Sequence, residues 1–376
     1  MTNYWNGIYG QNHAKEILSK IIASQKIPHA FLFYGPEGIG KHYTAVRFAQ
    51  LLNTGFKENF ASVKESQKIE QLLEPYIKYI IPLPRGKNET GDDMPLDKLS
   101  KEEVEEIQKE IDAKVSNPYY KIQIEDANNV KIGSIREIRK FTNMNFDDIR
   151  YRVILISEAE KMNDTAQNAL LKSLEEPPEG IIFILLTSNK SQLLDTIASR
   201  CWLVNFSPLN EEEIISILIE HFSIEKEEAQ LAAVFSNGSL IKATELIHHG
   251  IKLLPEKVIN ILRFSLGGKY QSVYKEMQPV ITDSSGYTFR LILQLIGFWL
   301  ADVQKNKTGR GGYFFRGHAE TIEKFNQRYN SADIDQLIVR VSELENAIDN
   351  NANLNILAMN LIFELASLKY TGIKSE

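Results

Sequence analysis

Apolar and polar positions divide this chain into two stretches of different character. Up to about residue 206, short apolar runs alternate with amphipathic segments. Residues 30–34, 152–157 and 181–187 are near-continuous apolar runs and read as buried strands. Tyr120, Ile122 and Ile124 alternate with polar neighbours, which predicts a further strand, and 202–206 predicts another. Between them, Ala14, Ile17, Leu18, Ile21 and Ile22 recur at helical spacing over 10–24. The same period predicts helices over 43–52, 132–141 and 163–176, the last stopped by Pro177 and Pro178. Strands alternating with helices imply a parallel sheet covered on both faces.

Residues 53–117 interrupt this rhythm. An apolar run over 76–81 is followed by Pro82, Pro84, Gly86 and Gly91, which break regular structure. Ser100 and Glu103 form a capping box that opens an acidic helix to about residue 115. This stretch reads as an insertion, and its charge as a solvated face. Phe206-Ser207-Pro208-Leu209 reads as a linker, and the rest of the chain is helical. Short patterns cover 210–222, 225–236 and 240–249, and longer ones include 284–304 and 333–369. The pattern gives an α/β module over 1–206, a small helical domain over 207–251 and a helical C-terminal domain over 252–376.

Bulk properties narrow the function classes. The formal net charge of −6 argues against a protein that coats nucleic acid by itself. Cys201 is the sole cysteine, so neither an intrachain disulfide nor a cysteine-cluster zinc site can form. No apolar run reaches the ~18–20 residues needed to span a bilayer. The N-terminus lacks the basic and apolar regions of a signal peptide. These features lead to an expectation of a cytoplasmic protein without membrane partners.

The first chemistry-bearing stretch is Gly35-Pro36-Glu37-Gly38-Ile39-Gly40-Lys41-His42, which lies between a predicted strand and a predicted helix. Its spacing is that of a P-loop, G-x-x-x-x-G-K, with His42 where Ser or Thr is expected. Gly35, Gly38 and Gly40 let backbone N–H groups turn inward around an anion, and the helix N-terminus adds partial positive charge. Lys41 would meet the outer phosphates. His42 is a poor substitute for a hard-cation oxygen ligand. At the end of the 152–157 strand, where a P-loop ATPase carries Asp then Glu, this chain carries Ser157 then Glu158. Glu158 is either the water-activating acid or a surface acid at a strand end.

Farther on, Asn168-Ala169-Leu170-Leu171-Lys172-Ser173-Leu174-Glu175-Glu176-Pro177-Pro178 is followed by Thr187-Ser188-Asn189 and Ser199-Arg200-Cys201. With Gly10-Gln11 and 28–33, this order resembles the bacterial clamp-loader branch of the AAA+ ATPases. The resemblance is specific over 8–52 and 120–206 and weak elsewhere. It implies an α/β P-loop AAA+ module, a small helical lid domain and an all-helical C-terminal collar domain. It also implies partners: gamma/tau-type and delta-type subunits in a hetero-pentamer, and through them a sliding clamp and primer–template DNA. Gly35, Gly38, Gly40, Lys41, His42, Glu158 and Thr187 would line a degenerate nucleotide site. Ile241 stands where the family carries its sensor-2 arginine, with Lys242 beside it. Phosphoryl transfer relies on positioned charges, so these losses compound, and ATP stays open as a cofactor. Arg200 would act in trans, as an arginine finger reaching a neighbour's ATP site. The family's four-cysteine zinc module is missing, so neither zinc nor another metal is expected.

The resemblance leaves two kinds of member open. One hydrolyses ATP, and Lys41 and Glu158 favour it. The other has a spoiled site and an intact finger, and His42, Ser157 and Ile241 favour that. A P-loop small-molecule kinase explains neither the Leu-Glu-Glu-Pro-Pro segment nor Ser-Arg-Cys. The loop 305–317 mixes Lys307, Arg310 and Arg316 with Phe314 and Phe315, a composition that could touch nucleic acid but is also that of a plain helix connection. His248 and His249 point about 100° apart on a helix and lack partner ligands.

Overall fold

The computed structural model describes residues 4–56, 63–143, 149–282, 286–350 and 352–371. The chain forms two compact units, Met1–Ser223 with Gly238–Ile241, and Ile224–Asn237 with Lys242–Glu376.

In the first unit, helix α1 (Asn12–Ser24) leads into strand β1 (Ala30–Tyr34) and helix α2 (Lys41–Thr54). Helix α3 (Lys64–Glu70), strand β2 (Ile77–Ile80), helix α4 (Lys101–Ser116) and helix α5 (Ile132–Thr142) follow. Strand β3 (Arg152–Ile156), helix α6 (Asp164–Glu175), strand β4 (Ile181–Thr187), helix α7 (Asp195–Ala198), strand β5 (Trp202–Asn205) and helix α8 (Glu211–Phe222) complete it. The strands form one sheet of order β2-β3-β4-β1-β5, with every pairing parallel.

Successive side chains on a strand point to opposite faces, so a strand covered on both sides must be apolar throughout. β3 and β4 are buried along their whole length. Ala30 and Leu32 of β1 join one face, which α5 covers with Ile135, Ile138 and Phe141 and α6 with Ala166, Leu170 and Leu174. Phe31 and Phe33 turn to the other face, where Phe31 meets Phe48 of α2 edge-on at 5.0 Å and Phe33 meets Phe206 at 5.2 Å. The site loop therefore leaves a central strand, at its C-terminal end.

Two sequence expectations change here. β2 lies inside the stretch set apart as an insertion, and it pairs with β3 as the sheet's edge. Residues 120–124, expected as a strand, are irregular. Side chains of α4 satisfy their backbone instead of a neighbouring strand. The Lys114 ammonium donates to Pro118 O at 2.9 Å and Tyr120 O at 2.6 Å, and the Glu110 carboxylate accepts from Gln123 N at 2.6 Å. Ile122 and Ile124 still turn inward, onto a small apolar cluster with Ile81, Leu83 and Ile107. The capping box at Ser100 and Glu103 is formed as the spacing predicts.

The second unit is helical among the described residues. It contains α9 (Lys226–Phe235), most of α10 (Leu240–His248), α11 (Leu254–Leu266) and α12 (Tyr270–Ile281). It continues with α13 (Tyr287–Lys307), α14 (Ala319–Arg328), α15 (Ile334–Asp349) and α16 (Leu354–Thr371). α13 is its centre, with Phe289, Ile292, Leu293, Ile296, Trp299 and Leu300 all buried. The spacing predicts this helix from 284, and residues 283–285 lie outside the described residues. The single pattern over 333–369 resolves into α15 and α16. No described helix is long and apolar enough to cross a membrane.

Candidate functional site

The loop between β1 and α2 needs its glycines. Gly38 has φ +74°, and a Cβ there would lie 2.7 Å from Ile241 N. A Cβ on Gly35 would lie 2.2 Å from Phe206 O. Each carbonyl of the loop is engaged. Gly35 O and Pro36 O accept from Lys41 Nζ at 2.7 and 2.6 Å. Glu37 O accepts from Ser239 Oγ at 3.0 Å and Gly38 O from Leu240 N at 3.2 Å. Ile39 O accepts from Gln11 Nε2 at 3.2 Å, and Gly40 O from Thr44 N at 3.0 Å. The N–H groups of Gly38, Ile39 and Gly40 donate to no acceptor among the described residues. The loop thus presents N–H groups to a concavity, the arrangement of an anion nest.

A cavity of about 120 Å³ opens at this loop. Gly38, Gly40, Lys41, His42, Glu158 and Thr187 all line it, as do Ser157 and Ile241. Gly35 stands just behind, its N–H donating to Thr187 O at 3.3 Å. Ligand pockets for small molecules usually measure about 300–1,000 Å³. By that measure the cavity is below that range. Lys41 folds back onto its own loop, and burial brings its ammonium down to about 8, against the pull of Glu160, Glu37 and Glu158.

His42 packs edge-on against Tyr79 of β2 at 5.2 Å. Its Nδ1 is buried without a hydrogen-bond partner. Burial, and secondarily the Lys114 ammonium, hold the imidazole well below its ordinary range, so it is neutral. Ser157 lines the same cavity as Tyr79 and brings a neutral hydroxyl. Neither position supplies an anionic oxygen for a divalent cation. Glu158 takes a left-handed backbone (φ 48°) and pairs with Lys161 at 2.9 Å. Ile241, expected at the sensor-2 position, brings backbone and an apolar side chain against Gly38.

Several lining residues fall outside any motif. Glu160, two residues past Glu158, accepts from Ser188 N at 2.9 Å, and its Oε2 is buried without a partner. Lys121 pairs with Glu37 at 2.9 Å. Lys114 arrives from the far end of α4, and burial brings its ammonium down to about 7. Tyr119 lies against Gly40 and bonds to Gly7 O at 3.1 Å. These side chains sit on turns and on the 53–117 stretch, so no linear spacing announces them.

Arg200 is elsewhere. It follows α7, and it does not line the P-loop cavity. Its guanidinium donates to Glu175 Oε1 at 2.7 Å and to Thr196 O at 2.9 Å, and its side chain remains 36% exposed. Cys201 beside it is buried, and burial pushes the thiol up to about 12, so it is a core residue and not a nucleophile.

The basic and aromatic loop of the second unit is internally bound. Asp302 is fully buried and accepts from Phe314 N at 3.0 Å, Phe315 N at 2.9 Å and Lys305 Nζ at 3.3 Å. Lys305 also covers the Phe314 ring at 3.9 Å, and Lys307 caps Asn330 O at 3.3 Å. These contacts assign Lys305, Lys307 and Phe314 to folding. His249 stacks on Tyr287 at 4.5 Å, edge-on to His248. Among the described residues, no group of three His, Cys, Asp or Glu side chains gathers as a metal site.

Comparisons with known proteins agree with the motif order. The family model described as DNA polymerase III, delta subunit, matches residues 10–210, more than half of the chain. The DNA polymerase III subunit delta' of Bacillus subtilis is 22% identical over 363 residues, covering 94% of this chain and 96% of that protein. The subunit tau of the same organism is 26% identical over 249 residues, covering 65% of this chain. The chain spans only 37% of that tau protein's length. A gamma-subunit-related protein of Thermotoga maritima of known structure aligns with a TM-score of 0.42 and 16% identity, over 94% of this chain and 99% of that one. With its P-loop, its parallel sheet and the Leu174–Pro178 and Ser199–Cys201 segments, the chain belongs to the DNA polymerase III delta-subunit family.

Proposed function

We propose that the chain is a delta-prime-like subunit of the DNA polymerase III clamp loader, with no ATP hydrolysis of its own. One observation carries the reading. Around Lys41, the positions of the metal-binding hydroxyl, the metal-binding acid and the sensor-2 cation hold a neutral imidazole, a serine and an isoleucine. Phosphoryl transfer is almost entirely positioning and charge stabilisation, so a site missing all three has no engine. Arg200, in contrast, lies outside that cavity with its side chain partly exposed, held by Glu175 at the surface where another subunit can reach it.

On this reading the chain is a scaffold in a hetero-pentamer with gamma/tau-type and delta-type subunits. The assembly opens a sliding clamp and places it on primed DNA, and Arg200 completes the ATP site of a neighbour. Residues 207–251 act as the lid and 252–376 as the collar. Ile356, Met359 and Phe363 leave an apolar face on α16 exposed, which suits a collar that packs on other subunits.

The test is ATP turnover by the isolated chain and by the reconstituted complex. The isolated chain is expected to show none, and Arg200→Ala to lower the DNA-stimulated rate of the complex while leaving assembly intact. Turnover by the isolated chain that Lys41→Ala abolishes would instead assign it to the gamma/tau type. That alternative draws support from the retained Lys41 and from the tau match.

A further inference from the structure

We propose that a cavity in the second unit, lined by α10 and α13, is a binding site for a small aromatic carboxylate, with the ring against an apolar wall and the carboxylate at Lys242 and Arg290.

The cavity measures about 140 Å³, and every residue that lines it belongs to that unit. α13 contributes Tyr287, Arg290, Leu291, Gln294, Leu295 and Phe298. That spacing is one face of a helix, which ordinarily packs without gaps. At about 100° per residue the face divides, with Tyr287, Arg290 and Gln294 on one edge and Leu291, Leu295 and Phe298 on the other. α10 adds Lys242 and Glu245, which are polar, and Leu246, which is apolar. Phe235, at the end of α9, extends the apolar wall and meets Phe298 edge-on at 5.8 Å. Phe235, Leu246, Leu291 and Leu295 are all buried. The cavity is therefore amphipathic.

Size and charge select the ligand. An apolar cavity of about 150 Å³ takes up benzene, so this one holds a single aromatic ring and not a nucleotide. Among the lining residues two cations, Lys242 and Arg290, stand against one carboxylate, Glu245. Glu245 already accepts from the Tyr287 hydroxyl. Arg290 lies 3.9 Å from Glu345, to which Gln294 Nε2 donates at 2.6 Å. A ligand carboxylate balances the excess positive charge, and the planar guanidinium of Arg290 matches its two oxygens. Lys242 follows Ile241, beside the expected sensor-2 position. It lines this cavity and not the P-loop cavity, so its chemistry belongs here.

The experiment is saturation-transfer NMR and calorimetry on the full chain with benzoate, and with benzamide and acetate as controls. Benzoate is expected to bind saturably in the millimolar range, benzamide about tenfold more weakly and acetate not at all. Lys242→Met is expected to weaken benzoate about threefold or more and to leave benzamide unchanged. Leu291→Phe, which fills the cavity, is expected to abolish binding of both. Hydrogen exchange on the unmodified chain gives a variant-free readout, with benzoate slowing residues 242–246 and 287–295 and leaving 38–40 unchanged. The proposal is overturned by absent benzoate binding at tens of millimolar, by unchanged affinity in a folded Leu291→Phe chain, or by protection away from α10 and α13. Benzamide or acetate binding as tightly as benzoate would overturn the carboxylate assignment, as would unchanged benzoate affinity in a folded Lys242→Met chain.

Discussion

Arg200 and Glu175 are joined by a 2.7 Å hydrogen bond between guanidinium and carboxylate, outside the P-loop cavity. Glu175 belongs to the Leu-Glu-Glu-Pro-Pro segment and Arg200 to Ser-Arg-Cys, so two motifs far apart in sequence meet in one ion pair. With the side chains 36% and 48% exposed, the pair contributes no more than about 1 kcal/mol to stability. Its consequence is positional, because it holds the guanidinium at the surface and outside the P-loop cavity.

Glu175→Gln should therefore leave the fold intact and release Arg200. In a reconstituted complex, the DNA-stimulated ATPase is expected to be kept or raised by Glu175→Gln and lowered by Arg200→Ala. An arginine finger is worth about 10³–10⁵ in rate at the site it serves, so the second effect should be large where that site dominates. Equal losses in both variants would mean that the ion pair, not the free guanidinium, matters.

Lys114 gives the chain a pH signature. Burial lowers its folded-state value from 10.5 to about 7. Between those values the unfolded chain binds the proton and the folded chain releases it, so this residue makes stability rise with pH across that window. Below about 7 both states are charged, and the folded state bears the full desolvation cost. Lys114→Met removes that cost. Its stabilisation relative to the unmodified chain should be greatest at pH 7 and below and shrink toward pH 10, as read by denaturant midpoints in phosphate-free buffer. A gain that grows with pH would contradict the burial of this ammonium.

The strands were legible because doubly covered strands must be apolar at every position, and 30–34, 152–157 and 181–187 were. The 120–124 expectation failed for an instructive reason. Ile122 and Ile124 do turn inward, as alternation predicts, but the backbone between them is bound by Lys114 and Glu110 rather than by a strand. Alternation reports which side chains are buried, not who satisfies the amides. The P-loop was readable as a spacing, and Glu158 was read from its place after a strand. Glu160 and Lys114 reach the cavity from a short turn and from the end of α4, placements that only the folded chain creates. The basic loop at 305–317 looked adhesive in sequence because its organiser, Asp302, precedes it and gives no sign of being buried.

Asp302→Ala should cost roughly 3 kcal/mol, since it strands the Phe314 and Phe315 N–H groups and frees Lys305. Asp302→Asn, which keeps an acceptor, should cost less. Hydrogen exchange is the sharper readout in a chain of two units, where a single unfolding transition is not assured. The Phe314 and Phe315 amides are expected to exchange faster in Asp302→Ala, with residues 38–40 unchanged. Slow exchange at both phenylalanines in that variant would show that another group holds the loop.

Gln11 ties the first unit together at the same loop. It is buried, donates from Nε2 to Ile39 O at 3.2 Å and Ser207 O at 2.7 Å, and accepts at Oε1 from Ser207 N at 3.0 Å. One side chain thus bonds the P-loop on one side and the segment leaving β5 on the other, which gives the Gly10-Gln11 motif a structural reason. Gln11→Ala leaves these backbone groups without partners, at about 1–3 kcal/mol for each that water cannot reach. The expected result is a loss of roughly 2–4 kcal/mol in the first unit. Gln11→Glu should retain the Ser207 N bond and lose both amide-donor bonds. Hydrogen exchange at residues 38–40 should quicken in Gln11→Ala even under conditions where the chain remains folded. A variant of unaltered stability and unaltered hydrogen exchange at 38–40 would remove Gln11 from this role.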